Sequence, residues 1–270
     1  MSAESIKRRS ILKIRNGVAE RTEDTVVTEE VLTIKLNGEE FVTVVCSPEH
    51  MEDLAVGYLA SEGVIRNPDA ITSIRLDQKN GFVHVTADQL NPLYDALQNK
   101  RYITSCCGGS RQGFVFANDA MTAKKMTGQQ VKLKPEQCFH LMEQLQESAD
   151  TFRETGGVHN AALCTEDEVV LSRMDIGRHN ALDKIYGYCL RNQVSVKGKV
   201  IVFSGRLSSE ILLKVAKIGC EVVISKSAPT ERALELAEEL QMTTVGFVRE
   251  DSLNVYTCPE RIQLKEAPVY

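Results

Sequence analysis

The chain has 270 residues, 43% hydrophobic, 26% charged and 6% aromatic, with no Trp. This is ample for a packed core in one large domain or two modest ones, and it excludes intrinsic disorder and collagen-like or low-complexity chains. A formal net charge of −5 leaves no overall basic field, which argues against nucleic acid as the main partner. The eight cysteines, at 46, 106, 107, 138, 164, 189, 220 and 258, are spread along a long chain, unlike a small secreted disulfide scaffold. Lys7, Arg8, Arg9, Lys13 and Arg15 look like the basic start of a signal peptide. However, Glu20-Arg21-Thr22-Glu23-Asp24 follows in place of an apolar segment. Nothing approaches the ~18 consecutive apolar residues of a membrane span. The expectation is a soluble protein of a reducing compartment, cytoplasmic and without a membrane partner.

In chain order, Thr25 to Leu36 and Phe41 to Cys46 are predicted strands around an Asn37-Gly38 turn. Glu49 to Gly63 is a predicted helix, with Met51, Leu54, Ala55, Tyr58 and Leu59 on one face. Ile71 to Leu76 and Phe82 to Thr86 form a strand pair turning at Asn80-Gly81. A Gly- and Ser-containing stretch with two adjacent cysteines runs from Thr104 to Gly113. Beyond a soft boundary near Lys132 to Pro135 the rhythm changes. Glu136 to Phe152 is a predicted amphipathic helix, with Pro135 at its start and Gly156-Gly157 after it. Strands Asn160 to Cys164 and Glu168 to Met174 precede a helix over Asn180 to Leu190. Strand Lys199 to Phe203, helix Ser209 to Ile218, strand Glu221 to Ser225, helix Thr230 to Leu240 and strand Thr243 to Val248 follow, with Asn254 to Thr257 as a last edge strand. Such alternation marks βαβ units and a parallel sheet. The expected division is a β-rich region over 1–133 that carries the cysteine loop, and an α/β region over 134–270.

Three places carry candidate chemistry. In Thr104-Ser105-Cys106-Cys107-Gly108-Gly109-Ser110-Arg111 the glycines permit positive φ, and Arg101 and Arg111 would favour a thiolate, the nucleophilic form. A mobile loop thiol suits a group that accepts sulfur and passes it on; the competing reading is a buried cysteine pair on a core strand. Adjacent cysteines are poorly placed to bond each other. Second, Gly-x-His-Asn-Ala occurs twice, at Gly157 to Ala161 and Gly177 to Ala181. The second copy sits among Asp175, Arg178, His179, Asp183 and Lys184 where a turn enters a helix, a setting for an anion. The alternative is that His159 and His179 serve only as backbone caps. Third, three turns follow parallel strands: Phe203 to Glu210, Ser225 to Thr230 and Phe247 to Ser252. Each supplies a cation and hydroxyls at the carboxyl end of a strand, where open α/β sheets bind ligands, and two of them open helices. Ordinary capping by Ser and Thr would explain each turn singly; three in register point to a phosphate-rich ligand. No Cys-x-x-Cys occurs and no His/Cys spacing matches a zinc template, so no metal is expected.

These residues lie in longer motifs: Ser47 to Gly57 (Ser-Pro-Glu-His-Met-Glu-Asp-Leu-Ala-Val-Gly), Cys106-Cys107-Gly108, Thr155 to His159, Asp175 to Ala181, Ser204 to Glu210 and Asn254 to Thr257. With them, the chain resembles the FdhD family, the formate dehydrogenase accessory sulfurtransferases, across nearly its full length. The resemblance implies a cytidine-deaminase-like three-layer α/β fold in the second half, without the deaminase zinc, beside a smaller β-rich N-terminal domain. It implies a sulfurtransferase that receives persulfide sulfur from a cysteine desulfurase. The sulfur then passes to the bis-molybdopterin guanine dinucleotide of formate dehydrogenase. On this reading Cys107 carries the persulfide and Cys106 is auxiliary or a bystander, since Ser110 stands where the family loop has its second cysteine. Phe247, Val248, Arg249, Glu250, Asp251 and Ser252 match the family's cofactor-binding region. Arg206, Ser208, Lys226, Ser227 and His179 complete the expected cofactor set. The expected partners are the desulfurase, the formate dehydrogenase apoenzyme, the guanine nucleotide part of the cofactor and a second copy of the chain as homodimer. The alternatives are a non-catalytic cofactor-binding chaperone and a zinc-dependent hydrolase or deaminase on the same fold.

Overall fold

The computed structural model of the chain describes residues 5–65, 67–92, 101–103, 110–112, 125–128 and 130–264. The cysteine loop, with Cys106 and Cys107, lies outside these residues. Strands β1 (Ile6–Arg15) and β2 (Val18–Val27) form a separate antiparallel hairpin. Its Asn16-Gly17 turn has both φ positive, the geometry of a two-residue hairpin turn. Strands β3 (Glu30–Leu36), β4 (Glu39–Cys46), β5 (Ile71–Asp77) and β6 (Phe82–Ala87) make a sheet in the order β4-β3-β6-β5. In β3 the even positions Leu32, Ile34 and Leu36 are buried, and they join Val83, Val85 and Ala87 under helix α1 (Met51–Ser61).

The predicted strand over Thr25 to Leu36 is thus two strands, the end of β2 and all of β3, with Thr28-Glu29 between them. Strands β7 (Arg101–Ile103) and β8 (Ser110–Gln112) form a short pair on either side of the cysteine loop.

The second sheet is built from β9 (His159–Cys164), β10 (Val169–Asp175), β11 (Val200–Phe203), β12 (Val222–Ser225), β13 (Thr243–Gly246) and β14 (Asn254–Thr257). Their order is β10-β9-β11-β12-β13-β14, with β11, β12 and β13 parallel and the outer strands antiparallel. Alternation of side chains along a strand puts Ala161, Leu163, Ile201, Phe203 and Val223 on one face. There they pack on α4 (Arg178–Arg191), α5 (Ser209–Ile218) and α6 (Glu231–Leu240). Ala162, Cys164, Val200, Val202, Val222 and Ile224 face the other way, against α2 (Pro135–Glu147). The result is a mixed α/β structure with helix, sheet and helix layers around this sheet. The helix predicted over Glu136 to Phe152 breaks at Ser148-Ala149 into α2 and a short α3 (Asp150–Thr155).

Helix α1 is enclosed on both sides, by its own sheet and by α4. A Cβ placed on Gly57 would lie 1.8 Å from the Asp183 carbonyl oxygen, and one on Gly187 would lie 1.8 Å from that of Asp53. The two helices therefore cross backbone against backbone, which only glycine permits. Around the crossing, Asp53 accepts from Arg191 (2.6 Å) and Arg173 (3.2 Å), and Asp183 pairs with Lys214 (2.7 Å) and Ser61 (2.6 Å). Met126, Val131 and Leu133 pack into the cores on the two faces of the second sheet. Fully buried Arg261 donates there to the Met126 and Gly128 carbonyls, at 2.7 and 2.8 Å.

Candidate functional site

The carboxyl edge of the parallel strands β11, β12 and β13 has two flanks. On the α4/α5 flank the two Gly-x-His-Asn-Ala copies meet. Pairing of β9 with β10 sets His159 opposite Asp175, two residues before Gly177, the residue that caps α4. Asn160 bonds to Ser204 through both its backbone groups, which ties the first copy to the end of β11. An added Cβ on Gly205 would come within 3.0 Å of the Phe203 ring and 3.4 Å of His159 Nδ1, so this glycine makes room chiefly for the Phe203 ring, with the imidazole next to it. His179, in the first turn of α4, has Nε2 3.3 Å from Glu210 Oε2 in the first turn of α5. Neither Gly177 nor Ser208, the N-cap residues of α4 and α5, supplies a side-chain cap. Arg178 Nε and Ser208 Oγ are buried atoms with no hydrogen-bond partner, and His179 Nε2 has only its ion-pair contact with the Glu210 carboxylate.

Two uncapped helix N-termini, a guanidinium, an imidazole and a hydroxyl thus converge in one crevice. Free N–H groups and the positive ends of two helix dipoles make such a place receptive to phosphate or pyrophosphate. Burial pushes the His159 pKa below its ordinary value; Arg178 and His179 add to this and Asp175 opposes it. His159 is therefore neutral at neutral pH, able to donate from one nitrogen and accept at the other.

The turn that presents Arg178 and His179 is held from below. Asp175 and Lys184 are both fully buried and pair at 2.7 Å. Asp175 accepts from Ser47 N, Gly177 N and Asn180 Nδ2, while Lys184 donates to the Ser47 and Met174 carbonyls. The Ser47 corner that follows β4 thereby sets the start of α4.

On the α2 flank, Lys226, Val248, Arg249 and Glu250 line a cavity of about 490 Å³ with Phe139, Met142 and Gln146 of α2. Lys226 Nζ donates to Gln146 Oε1 (2.6 Å), and Arg249 donates to the Lys226 carbonyl (2.6 Å). The backbone of the loop is pinned by Val248 N to Ser225 O and Arg249 N to Ser252 O. Phe247 has φ 51° and is exposed, as are Asp251 and Ser252. Ser227 is half-buried and its N–H donates to Ser225 Oγ. Ser225 Oγ in turn donates to Gly205 O, linking the second turn to the first.

The expected cofactor residues therefore fall into two groups along one edge. Ser208 and His179 lie on the α4/α5 flank, with Arg206 exposed in the same turn as Ser208, and Lys226, Val248, Arg249 and Glu250 face α2. The sequence reading left out Glu210 and the α2 contributors Gln146 and Phe139. Glu210 ends the Ser204 to Glu210 motif, which was a usable signal; nothing in α2 marks Gln146 or Phe139. Cys106 and Cys107 lie outside the described residues.

Of the described cysteines, Cys46, Cys138, Cys164, Cys189 and Cys220 are buried. Burial raises Cys46, Cys138 and Cys164 to about 12 and Cys189 to about 11, and pushes Cys220 up as well. Their thiols stay protonated and pack as small apolar groups. Half-buried Cys258 is raised too, by burial and by Glu260. Among the described residues no three His, Cys, Asp or Glu side chains gather to hold a metal. No described helix is long and apolar enough to cross a membrane.

The family model described as FdhD/NarQ matches residues 27–263. The chain belongs to the FdhD/NarQ family. Among its relatives in that family, the sulfur carrier protein FdhD of Shouchella clausii is 56% identical over 258 residues, 95% of this chain and 97% of that protein. The sulfur carrier protein FdhD of Bacillus subtilis is 54% identical over 255 residues, 94% and 97% of the two chains. That of Listeria innocua is 49% identical over 257 residues, 95% and 98%. The fold is shared with a solved structure described as a formate dehydrogenase accessory protein, from Desulfotalea psychrophila. The TM-score is 0.79 at 23% identity, covering 96% of this FdhD/NarQ chain and all of that one.

Proposed function

We propose that this chain is a sulfur carrier for formate dehydrogenase maturation, loaded on Cys107 by a cysteine desulfurase and discharging to a bis-molybdopterin guanine dinucleotide substrate. The observation that carries the reading is identity of 49–56% over nearly the whole chain to proteins named sulfur carrier protein FdhD. In the loading step the Cys107 thiolate attacks the outer sulfur of the desulfurase persulfide. The S–S bond there breaks, a new one forms on Cys107 Sγ, and the desulfurase cysteine leaves as thiolate. The described cysteines are buried or raised in pKa and poor nucleophiles, which is why the reading assigns the role to the loop. Cys106 is auxiliary or a bystander in it.

Support for the nucleotide half comes from the crevice. Arg178, His179, Ser208 and the α4 and α5 N–H groups offer donors to a pyrophosphate, and Arg206 stands beside them. The Phe247 to Ser252 loop with Lys226 and Ser227 takes the guanine nucleoside on the α2 flank. The layered second region is taken as cytidine-deaminase-like within the same reading.

Titration calorimetry with guanosine diphosphate tests the assignment. Arg178→Ala is expected to weaken binding tenfold or more, since a charge-assisted hydrogen bond contributes about 1.5–3 kcal/mol. Cys107→Ala should bind the nucleotide normally and lose sulfur transfer. Equal affinity of Arg178→Ala and the parent chain would remove the crevice from the site. Nucleotide binding with no chemical role for Cys107 would favour the non-catalytic cofactor-binding chaperone.

A further inference from the structure

The crevice between α4 and α5 contains a carboxylate where a pyrophosphate is to bind. Glu210, in the first turn of α5, sets Oε2 3.3 Å from His179 Nε2, and the two side chains are only 16% and 17% exposed. A carboxylate beside an anion subsite repels the anion, so its presence there calls for a physical reason. The neighbouring acids raise no such question. Asp175 is paired with buried Lys184 at 2.7 Å, and Asp183 with Lys214 at 2.7 Å. Glu210 is turned instead to an imidazole.

That contact fixes the chemistry of the ring. A carboxylate only accepts hydrogen bonds, so the nitrogen turned to it, Nε2, carries the hydrogen. In a neutral His179 this leaves Nδ1 as an acceptor, and a phosphate oxygen is an acceptor as well. Only the imidazolium, with N–H at both positions, donates to Glu210 and to a phosphate at once. The other groups around the ring do not substitute for it. His159 on β9 is held neutral by burial, with Arg178 and His179 acting in the same direction. Arg178, beside His179 on α4, and exposed Arg206, in the turn before α5, are cations whether or not a ligand is present. Asp175 at the end of β10, and Asp183 one turn further along α4, are committed to their lysines.

We infer that Glu210 is a positioning residue for the phosphate subsite: it fixes Nε2–H of His179, so that the ring donates to a diphosphate through Nδ1 only after Nδ1 has taken a proton from solvent. The inference rests on the crevice being the pyrophosphate site of the reading above. Binding a diphosphate then takes up a proton. The Glu210–imidazolium pair carries no net charge, which leaves Arg178, Arg206 and the two helix ends to balance the ligand.

Titration calorimetry of guanosine diphosphate into the full chain, in buffers of low and high ionisation enthalpy, counts that proton. At about pH 8 free histidine (about 6.5) and a terminal phosphate (about 6) have both lost their protons, so the uptake is read against a deprotonated ligand. The parent chain is expected to take up as much as about one proton per nucleotide, and its affinity to fall by up to about tenfold per pH unit. Glu210→Ala releases the ring to present Nδ1–H while neutral. This variant should bind with no proton uptake and with an affinity that is flat over the same range. His179→Gln, whose amide donates without titrating, should also lose the uptake, which locates the proton on this ring. A merely structural role for Glu210 would weaken binding in its variant and leave the pH slope unchanged; that result overturns the inference. So does a parent chain that binds the nucleotide with an enthalpy independent of buffer. A parent chain that does not bind the nucleotide at all would remove the crevice from the site, and this inference with it.

Discussion

At the scale of single residues, the polar cluster at the start of α4 divides by burial into two jobs. Arg178 and His179 reach the crevice, whereas Asp175, Asp183 and Lys184 are interior charges that hold the turn and the helix crossing. Asp175 and Lys184 are both fully buried, so removing one partner strands the other. Lys184→Met is expected to cost about 3–5 kcal/mol of stability, the penalty for an unpaired buried charge. Urea unfolding monitored by circular dichroism measures it; a loss under about 1 kcal/mol would show that the pair does not bear on the fold. The motif Asp175 to Lys184 marked this cluster in the sequence, but not its division. The partners that decide it are Ser47 and Lys214, at distances along the chain that no local pattern reports.

At the scale of elements, amphipathic periodicity located α1 and the alternating strands and helices of the second half, because each buries a regular apolar stripe. It located less well what is exposed on both faces. In β1 and β2 charges occupy both faces, so no apolar alternation marks them, and Asn16-Gly17 was the one turn signal available. Helix α1 erred in the other direction: a single apolar face was legible, yet Gly57, Asp53 and Ser61 are buried as well. The sequence holds no sign that Gly57 meets Gly187 until the two helices are brought together. Gly57→Ala sets a methyl against the Asp183 carbonyl, which is backbone and has no rotamer by which to yield. The helices must separate, and the expected cost is above about 3 kcal/mol, beyond ordinary overpacking. Thermal unfolding of this variant checks the crossing. An unchanged Tm would mean that α1 and α4 do not approach this closely.

At the scale of the whole molecule, the Ser47 corner and the α1–α4 crossing join the first sheet to the layer that carries the crevice. That three turns follow neighbouring parallel strands at one edge was readable from the sequence. The structure adds that this edge has two flanks and that α2 supplies a wall of the second. That wall was illegible because Phe139 and Gln146 sit in an ordinary amphipathic helix, and only the packing of α2 on the sheet brings them to Lys226 and Arg249. The sulfur step rests on the loop between β7 and β8, where Cys107 stands with Cys106 before it and Ser110 in place of a second family cysteine. In the proposed reading a single carrier thiol would hold sulfur as a persulfide and not as a disulfide with a residue at position 110.

The most direct test of the sulfur-carrier account is peptide mass spectrometry after incubation with an active cysteine desulfurase and cysteine. The account predicts one extra, reductant-labile sulfur atom on the peptide containing Cys106 and Cys107, with fragmentation placing it on Cys107. A peptide that gains no sulfur from a desulfurase shown to be active would contradict it.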